Sequence, residues 1–285
     1  MATLTTEKQR VRPTFLFIGG DRCGSKSLHN IFRQHPDCYV PPIADPYFFD
    51  KNYDRGLDWY FDLFAAASPT AQAIGEFSHD YIHSVEAAQR IAVDLPDVKL
   101  LAALRHPIER TFSSYAAAYS AGVISTPFEQ ALQEVPMLIG NSLYADKLEV
   151  YLKLFPRKQI KILLFDDLED DPRSFAEQAF DFLGLRTDDD IDYGQRMSVL
   201  SKSRWPLAGT ISKMGANTLR KLGWVSLLGR LKSNPRFRAL FYKPYTADDR
   251  PQIAATTRRM LSETFAPQID RIEKMLGRDL SHWRV

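Results

Sequence analysis

The stretch Phe15-Leu16-Phe17-Ile18-Gly19-Gly20-Asp21-Arg22-Cys23-Gly24-Ser25-Lys26-Ser27-Leu28 decides the fold. Four apolar residues read as a buried strand and run straight into a glycine-bearing turn. Beyond the turn, Leu28, Ile31, Phe32 and His35 recur at helical spacing. A strand, a glycine turn and a helix N-terminus aim several backbone N–H groups and the positive end of the helix dipole at one point. That point suits a phosphate or a sulfate.

Working outward, further apolar runs of strand length lie at 73–77, 98–104 and 160–165. Between them stand helical patterns: Ile108, Phe112, Tyr115 and Tyr119, then 144–155, then 172–183 with Pro172 suited to a first turn. Strands alternating with helices predict an α/β fold, a P-loop-like three-layer sandwich with a central parallel sheet flanked by helices. The core is expected over about 14–185. After a looser stretch at 187–192, a C-terminal helical region covers 249–285, its helix breaking near Pro267 and stopping at Gly277. The whole chain, 1–285, reads as one domain.

Composition excludes several classes. With 45% hydrophobic and 25% charged residues and a net charge of +2, the chain has no general attraction to nucleic acid. Two cysteines, Cys23 and Cys38, are too few for a disulfide scaffold and supply no metal ligand set. The polar start, 1–12, lacks the apolar run of a signal peptide, so a cytoplasmic protein is expected.

The turn narrowly misses the nucleotide-kinase pattern of Gly, four residues, then Gly-Lys-Ser/Thr. Gly19 and Gly24 have the separation, but Ser25 holds the lysine position and Lys26 follows one place late, a rotation of about 100° on a helix. Residues 17–36 instead resemble the phosphosulfate-binding loop of sulfotransferases. The branch most like it is that of the heparan sulfate 3-O-sulfotransferases and their bacterial relatives, with Tyr47-Phe48-Phe49-Asp50 and Gly56-Leu57-Asp58-Trp59-Tyr60 also matching. The resemblance continues at the end of the run 98–104. There Arg105 and, eight residues later, Ser113 have the spacing of the pair that holds the 3′-phosphate in that family. Guanidinium offers phosphate a bidentate fork, and a helical serine adds a hydroxyl. Residues 201–205 resemble the late loop that covers the nucleotide, which gives Lys202 and Arg204 a place beside its phosphates.

The resemblance implies a donor, 3′-phosphoadenosine 5′-phosphosulfate (PAPS), held by Arg22, Cys23, Gly24, Ser25, Lys26 and Ser27 together with Arg105, Ser113, Lys202 and Arg204. It implies transfer of a sulfuryl group to a hydroxyl or amine of a small-molecule, glycan or lipid acceptor, with adenosine 3′,5′-bisphosphate as product. Sulfuryl transfer is an in-line displacement in which the protein positions groups and stabilises charge. Arg22 stands where the family has the loop lysine that contacts the leaving oxygen. Three groups are candidates for the acceptor's base. Asp45 matches a family glutamate ahead of a His-Phe-Phe segment whose histidine is Tyr47 here. Glu76 and His79 follow the run 73–77, at a strand end that faces the ligand crevice of such sheets. Two other readings stay open: a P-loop nucleotide kinase, and an idle anion-binding module of the same fold.

The segment 193–247 contains no Asp or Glu and carries Lys213, Arg220, Lys221 and Arg230 among its basic residues, interleaved with apolar ones. It reads either as a platform for peripheral contact with an anionic membrane surface or anionic acceptor, or as a helical lid with solvated charges.

Overall fold

The computed structural model describes residues 10–194, 201–203, 242–244 and 252–284. In chain order the first elements are β1 (Phe15–Gly19), α1 (Ser25–Gln34), β2 (Cys38–Tyr39), α2 (Phe48–Lys51), α3 (Gly56–Asp62), β3 (Ala73–Phe77) and α4 (Val85–Asp94). Next come β4 (Lys99–Leu104), α5 (Pro107–Ser120), α6 (Phe128–Glu134), α7 (Met137–Gly140), α8 (Tyr144–Leu154), β5 (Ile160–Leu164), α9 (Phe165–Asp170) and α10 (Pro172–Leu183). Short strands β6 (Ser201–Ser203) and β7 (Tyr242–Pro244) precede α11 (Ala255–Leu276).

These elements group into two compact units. The first lies within Met1–Pro107, Leu143–Met197 and Ala266–Val285, and the second within Ile108–Ser142 and Ser198–Phe265. The first holds a five-stranded sheet in the order β2-β3-β1-β4-β5, every neighbouring pair parallel. Every residue of β1 is buried, as a strand covered on both faces requires. Phe15 and Phe17 leave it on the same side and meet Phe32 of α1 and Phe77 of β3, with ring centroids 5.3 Å apart for Phe15–Phe32 and 5.0 Å for Phe17–Phe77. Phe180 of α10 closes the cluster against Phe32 at 5.3 Å. Leu28, Ile31 and Phe32 form the buried face of α1, as their spacing predicts. His35 caps the helix end with its ring bonded to the Arg186 carbonyl at 2.8 Å.

In this order β1 sits in the middle, and the chain winds to one side through β2 and β3 before crossing to β4 and β5 on the other. Parallel strands place all their C-terminal ends on one edge, and the reversal of winding beside β1 opens a crevice there. The second unit pairs β6 with β7 antiparallel. It also buries Arg110 of α5, whose guanidinium donates to the Leu138 carbonyl at 3.2 Å.

The structure corrects four expectations. The strand read as 98–104 begins at Lys99, and Phe165 opens α9 instead of closing β5. Tyr119, placed on the apolar stripe of α5, is 39% exposed because the stripe drifts to the surface at the helix end. The C-terminal helix begins at Ala255 and runs through Pro267 without a break. Proline removes one intrahelical bond, but Phe265, Ile269 and Ile272 are buried, and packing of a helix face outweighs that loss. Of the basic stretch 193–247, only 193–194 and the backbone of 201–203 and 242–244 fall within the described residues. Arg204 lies outside them, and Lys202 is placed as the middle residue of β6.

Candidate active site

The C-terminal edge of the sheet gathers three segments of the first unit: the turn after β1, the residues after β3, and Arg105 after β4. The turn is anchored to the sheet by the Gly20 N–H, which donates to the Ala103 carbonyl at 2.8 Å. Gly19 lies at φ +148, and a Cβ there would stand 2.7 Å from the His79 carbonyl oxygen, so the turn and the post-β3 segment approach as closely as backbones can. Arg22 is held in the left-handed region at φ 63, a conformation that persists in a non-glycine residue only where its surroundings enforce it. Gly24 precedes α1 at φ +90, and a Cβ on it would fall 2.6 Å from Leu168. Gly24 at the N-cap of α1 brings no capping side chain, and no acidic residue occupies the first turn. The dipole at this helix start favours an anion. Cys23 turns its thiol inward, 3.8 Å from the Tyr144 hydroxyl, so it offers this face only its backbone.

A second turn, 45–47, folds over the end of β3. The Asp45 N–H donates to the Phe77 carbonyl at 3.0 Å, and the Tyr47 N–H donates to Ser78 Oγ at 3.0 Å. Asp45 and Tyr47 both have positive φ, 56° and 49°. This pins Asp45 Oδ1 2.7 Å from His79 Nδ1. The Tyr47 hydroxyl lies 3.1 Å from His79 Nε2 and 3.4 Å from Nδ1, over the face of the ring. The bond to Asp45 assigns Nδ1–H as its donor. Burial of the ring pulls the His79 pKa down, but the hydrogen bond and charge of Asp45, with the charges of Asp80 and Asp21, more than reverse this and raise it above 6.5. Lys51 completes the cluster, paired with Asp80 and with its ammonium 3.8 Å from the centre of the Tyr47 ring.

Glu76 sits beneath this surface and is fully buried. Ser78 Oγ donates to it at 2.8 Å and the Tyr60 hydroxyl approaches at 3.5 Å. Burial pushes its pKa up to about 8, against the opposing hydrogen bonds of Ser78 and Tyr81. The folded state thus holds a proton that the unfolded chain releases near 4.5. Glu76 therefore contributes stability fully present below that pH and lost as pH rises through about 8. Glu76→Gln removes this titration while keeping an acceptor for Ser78. Urea denaturation between pH 5 and 9 is expected to show the variant gaining on the wild type as pH rises, by an amount on the order of a few kcal/mol. A difference that does not change with pH would show Glu76 to be ionised throughout.

Of the residues singled out in the sequence, Arg22, Gly24, Ser25, Lys26 and Ser27 lie in or directly after the β1 turn, and Asp45 and His79 touch. Arg105 follows β4 directly, its guanidinium 4.4 Å from the centre of the Phe165 ring. Lys26 is exposed on the first turn of α1. Ser113 is buried on α5, at 8% exposure, in the second unit. Glu76 is the one base candidate without exposed surface, whereas the Asp45 and His79 side chains keep 32% and 26% of theirs. Sequence reasoning passed over Tyr47 as a mere replacement for the family histidine. Its only sequence signal is an aromatic hydroxyl two residues from Asp45, and the contact with His79 spans 32 positions.

A family model described as the sulfotransferase domain matches residues 12–204. The human heparan sulfate glucosamine 3-O-sulfotransferase 3A1 is 32% identical over 195 residues, 65% of this chain and 48% of that protein. The human bifunctional heparan sulfate N-deacetylase/N-sulfotransferase 3 is 30% identical over 196 residues, 61% of this chain and 22% of its own length. This chain thus spans half or less of these glycan-directed relatives. The crystal structure of a sulfotransferase from Alicyclobacillus acidocaldarius superimposes with a TM-score of 0.71 at 25% identity, over 96% of this chain and 100% of that one.

Proposed function

The chain belongs to the sulfotransferase family, and from that premise we propose that it moves a sulfuryl group from PAPS to an acceptor hydroxyl. The observation that carries this reading is the meeting, at one sheet edge, of an anion-receptive turn and helix start with the Asp45–His79 pair. PAPS supplies a sulfur whose bond to the 5′-phosphate oxygen is ready to break. The N–H groups at the start of α1, with Ser25, Ser27 and Lys26 on its first turn, would hold that end of the donor. Arg22 would stabilise charge on the leaving oxygen, and Arg105 would grip the 3′-phosphate through its planar fork. His79, kept in one tautomer by Asp45, is the general base of the site, which leaves Glu76 a buried support. Glycan, lipid and small-molecule acceptors all fit this chemistry, and the free thiols of Cys23 and Cys38 suit the cytoplasm.

Turnover of PAPS labelled on sulfur, with transfer of the label to a hydroxyl acceptor, tests the reading. Calorimetric titration with adenosine 3′,5′-bisphosphate and with ATP separates it from a kinase, which would prefer ATP. Arg22→Ala is expected to lower kcat by about 10²-fold while changing donor affinity little, because charge placed at the leaving oxygen counts most in the transition state. Arg22→Lys keeps much of the activity. Intact turnover with weakened donor binding would make Arg22 a binding residue only.

A further inference from the structure

We infer that Trp283 and Arg278, on the segment after α11, are positioning residues for the donor's 3′-phosphate: they hold α9, and α9 carries the ring on which Arg105 rests. The inference rests on the PAPS reading of the sheet edge and names what sets its arginine in place. All of these residues belong to the first unit.

α9 follows β5 and opens on Phe165, whose ring centre stands 4.4 Å from the Arg105 guanidinium. The same ring and Leu168 flank Gly24, where a Cβ would stand 3.3 Å from Phe165 and 2.6 Å from Leu168. One helical turn thus touches both the arginine after β4 and the glycine turn after β1. A helix of six residues is too short to hold itself in place. Its charge also opposes its position, for Asp166, Asp167, Glu169 and Asp170 put four carboxylates beside a site read as taking phosphates.

The segment 278–284 answers both needs. Trp283, fully buried, donates its indole N–H to Asp166 Oδ2 at 2.9 Å. The Trp283 ring also lies 6.2 Å from that of His106, the residue after Arg105, so one indole braces the chain beyond β4 and the chain beyond β5. Arg278 makes a two-pronged bond with Asp167, at 2.7 and 2.5 Å, and Gln178 of α10 adds a third at 3.1 Å. Burial by itself raises the Asp167 pKa. The hydrogen bonds of Arg278 and Gln178, with the charges of Arg278 and Lys161, more than reverse this and hold it below its usual value. The Asp167 charge is thus matched by Arg278 before a donor arrives. The segment is itself fixed to α11, where the Leu280 N–H donates to Glu273 Oε1 at 2.6 Å and Arg284 pairs with Asp270 at 2.8 Å. Contacts therefore run from α11 through Trp283 and α9 to the Arg105 guanidinium. A fork supported in this way loses less freedom when phosphate binds.

The test measures, by calorimetry on the full chain, the preference for adenosine 3′,5′-bisphosphate over adenosine 5′-monophosphate, which isolates the 3′-phosphate. Trp283→Phe removes the indole donor and Arg278→Gln removes the charge. Each is expected to shrink the preference about 10-fold, a coupling usual for residues that share partners. Arg278→Lys, with the charge but not the fork, keeps the larger part of it. In an Arg105→Ala background the same two substitutions change the preference no further, since the residue they position is gone. The Arg278 side chain is 45% exposed, so its substitution spares the core and keeps the test decisive if Trp283→Phe does not fold. A loss of thermal stability with the preference intact, or the same loss of preference with and without Arg105, overturns the inference. A wild type that binds the two nucleotides alike overturns the PAPS reading, and the inference with it, before any variant is made.

Discussion

Asp45→Asn lowers kcat on its high-pH plateau by about 10³-fold, within the span of general-base contributions, and moves the acidic limb of the rate profile to lower pH. The two effects have one cause. In the proposed mechanism His79 acts as a base only when neutral, so the wild-type rate is expected to rise with pH through a value above 6.5, to which Asp45 has lifted the ring. Removing the carboxylate leaves burial, which favours the neutral ring, so more of the variant is in the active protonation state at acid pH. That neutral ring is nevertheless a poor base, because the imidazolium it must become has lost its hydrogen-bonded counter-charge.

The variant's deficit is therefore larger at pH 8 than at pH 6, where wild-type His79 is itself largely protonated. A stability signature accompanies the kinetic one. A raised folded-state pKa contributes stability that is fully present below 6.5 and lost as pH rises through the folded value. Asp45→Asn thus destabilises the fold most at low pH. Steady-state rates and chemical denaturation across pH 5.5 to 9 check both signs. A deficit that does not vary with pH would remove His79 from the role of base.

Arg105→Ala weakens binding of adenosine 3′,5′-bisphosphate by about 2 to 4 kcal/mol, about 30- to 700-fold, the loss expected for a charge-assisted phosphate pair. Arg105 leaves β4 beside the turn after β1, and its guanidinium lies 4.4 Å from the centre of the Phe165 ring. A cation resting on an aromatic face has given up part of its freedom before the ligand arrives, so little more is lost when phosphate binds. Arg105→Lys recovers part of the affinity, since a point charge replaces the fork. Ser113→Ala, a neutral hydroxyl, costs about 1 kcal/mol. Adenosine 5′-monophosphate, which lacks the 3′-phosphate, binds almost equally to all these forms. Calorimetry with the two nucleotides decides the matter: equal losses for both would take Arg105 away from the 3′-phosphate.

What the residues alone could declare was local. The pattern of Phe15 to Leu28 determined a strand, a phosphate-type turn and a helix, because backbone requirements at Gly24 and the apolar period of α1 are written within a few neighbouring positions. The same holds for β3, whose expected bounds at 73–77 are those observed, and for α10 behind Pro172. Alternation of such segments was enough for the class of fold. The placement of Arg22 and Arg105 was legible for a similar reason: each follows a strand at a fixed short distance, and parallel strands deliver their ends to one edge.

The surroundings of Asp45 and His79 were not legible, because their geometry depends on contacts between residues far apart in the chain. Asp45, Glu76 and His79 all stood as candidates in the sequence, three ionisable groups beside apolar runs. Only packing separated them. The alternation of β3 turns Glu76 inward, where desolvation holds its proton, while the turn at 45–47 folds back across Ser78 and brings Asp45 and Tyr47 onto His79. The left-handed conformations of Asp45 and Tyr47 oppose local preference, so no local rule foretells them; they exist because Phe77, Ser78 and Asn52 hold them. Pro267 makes the converse point. Its local preference is to break a helix, and burial of the residues around it keeps α11 intact. The sequence by itself determined the class of fold and the glycine turn that enters α1, which arise from near neighbours. Tertiary structure decided which carboxylate meets the histidine and which phenol covers its ring, since burial and contacts across some thirty positions set both.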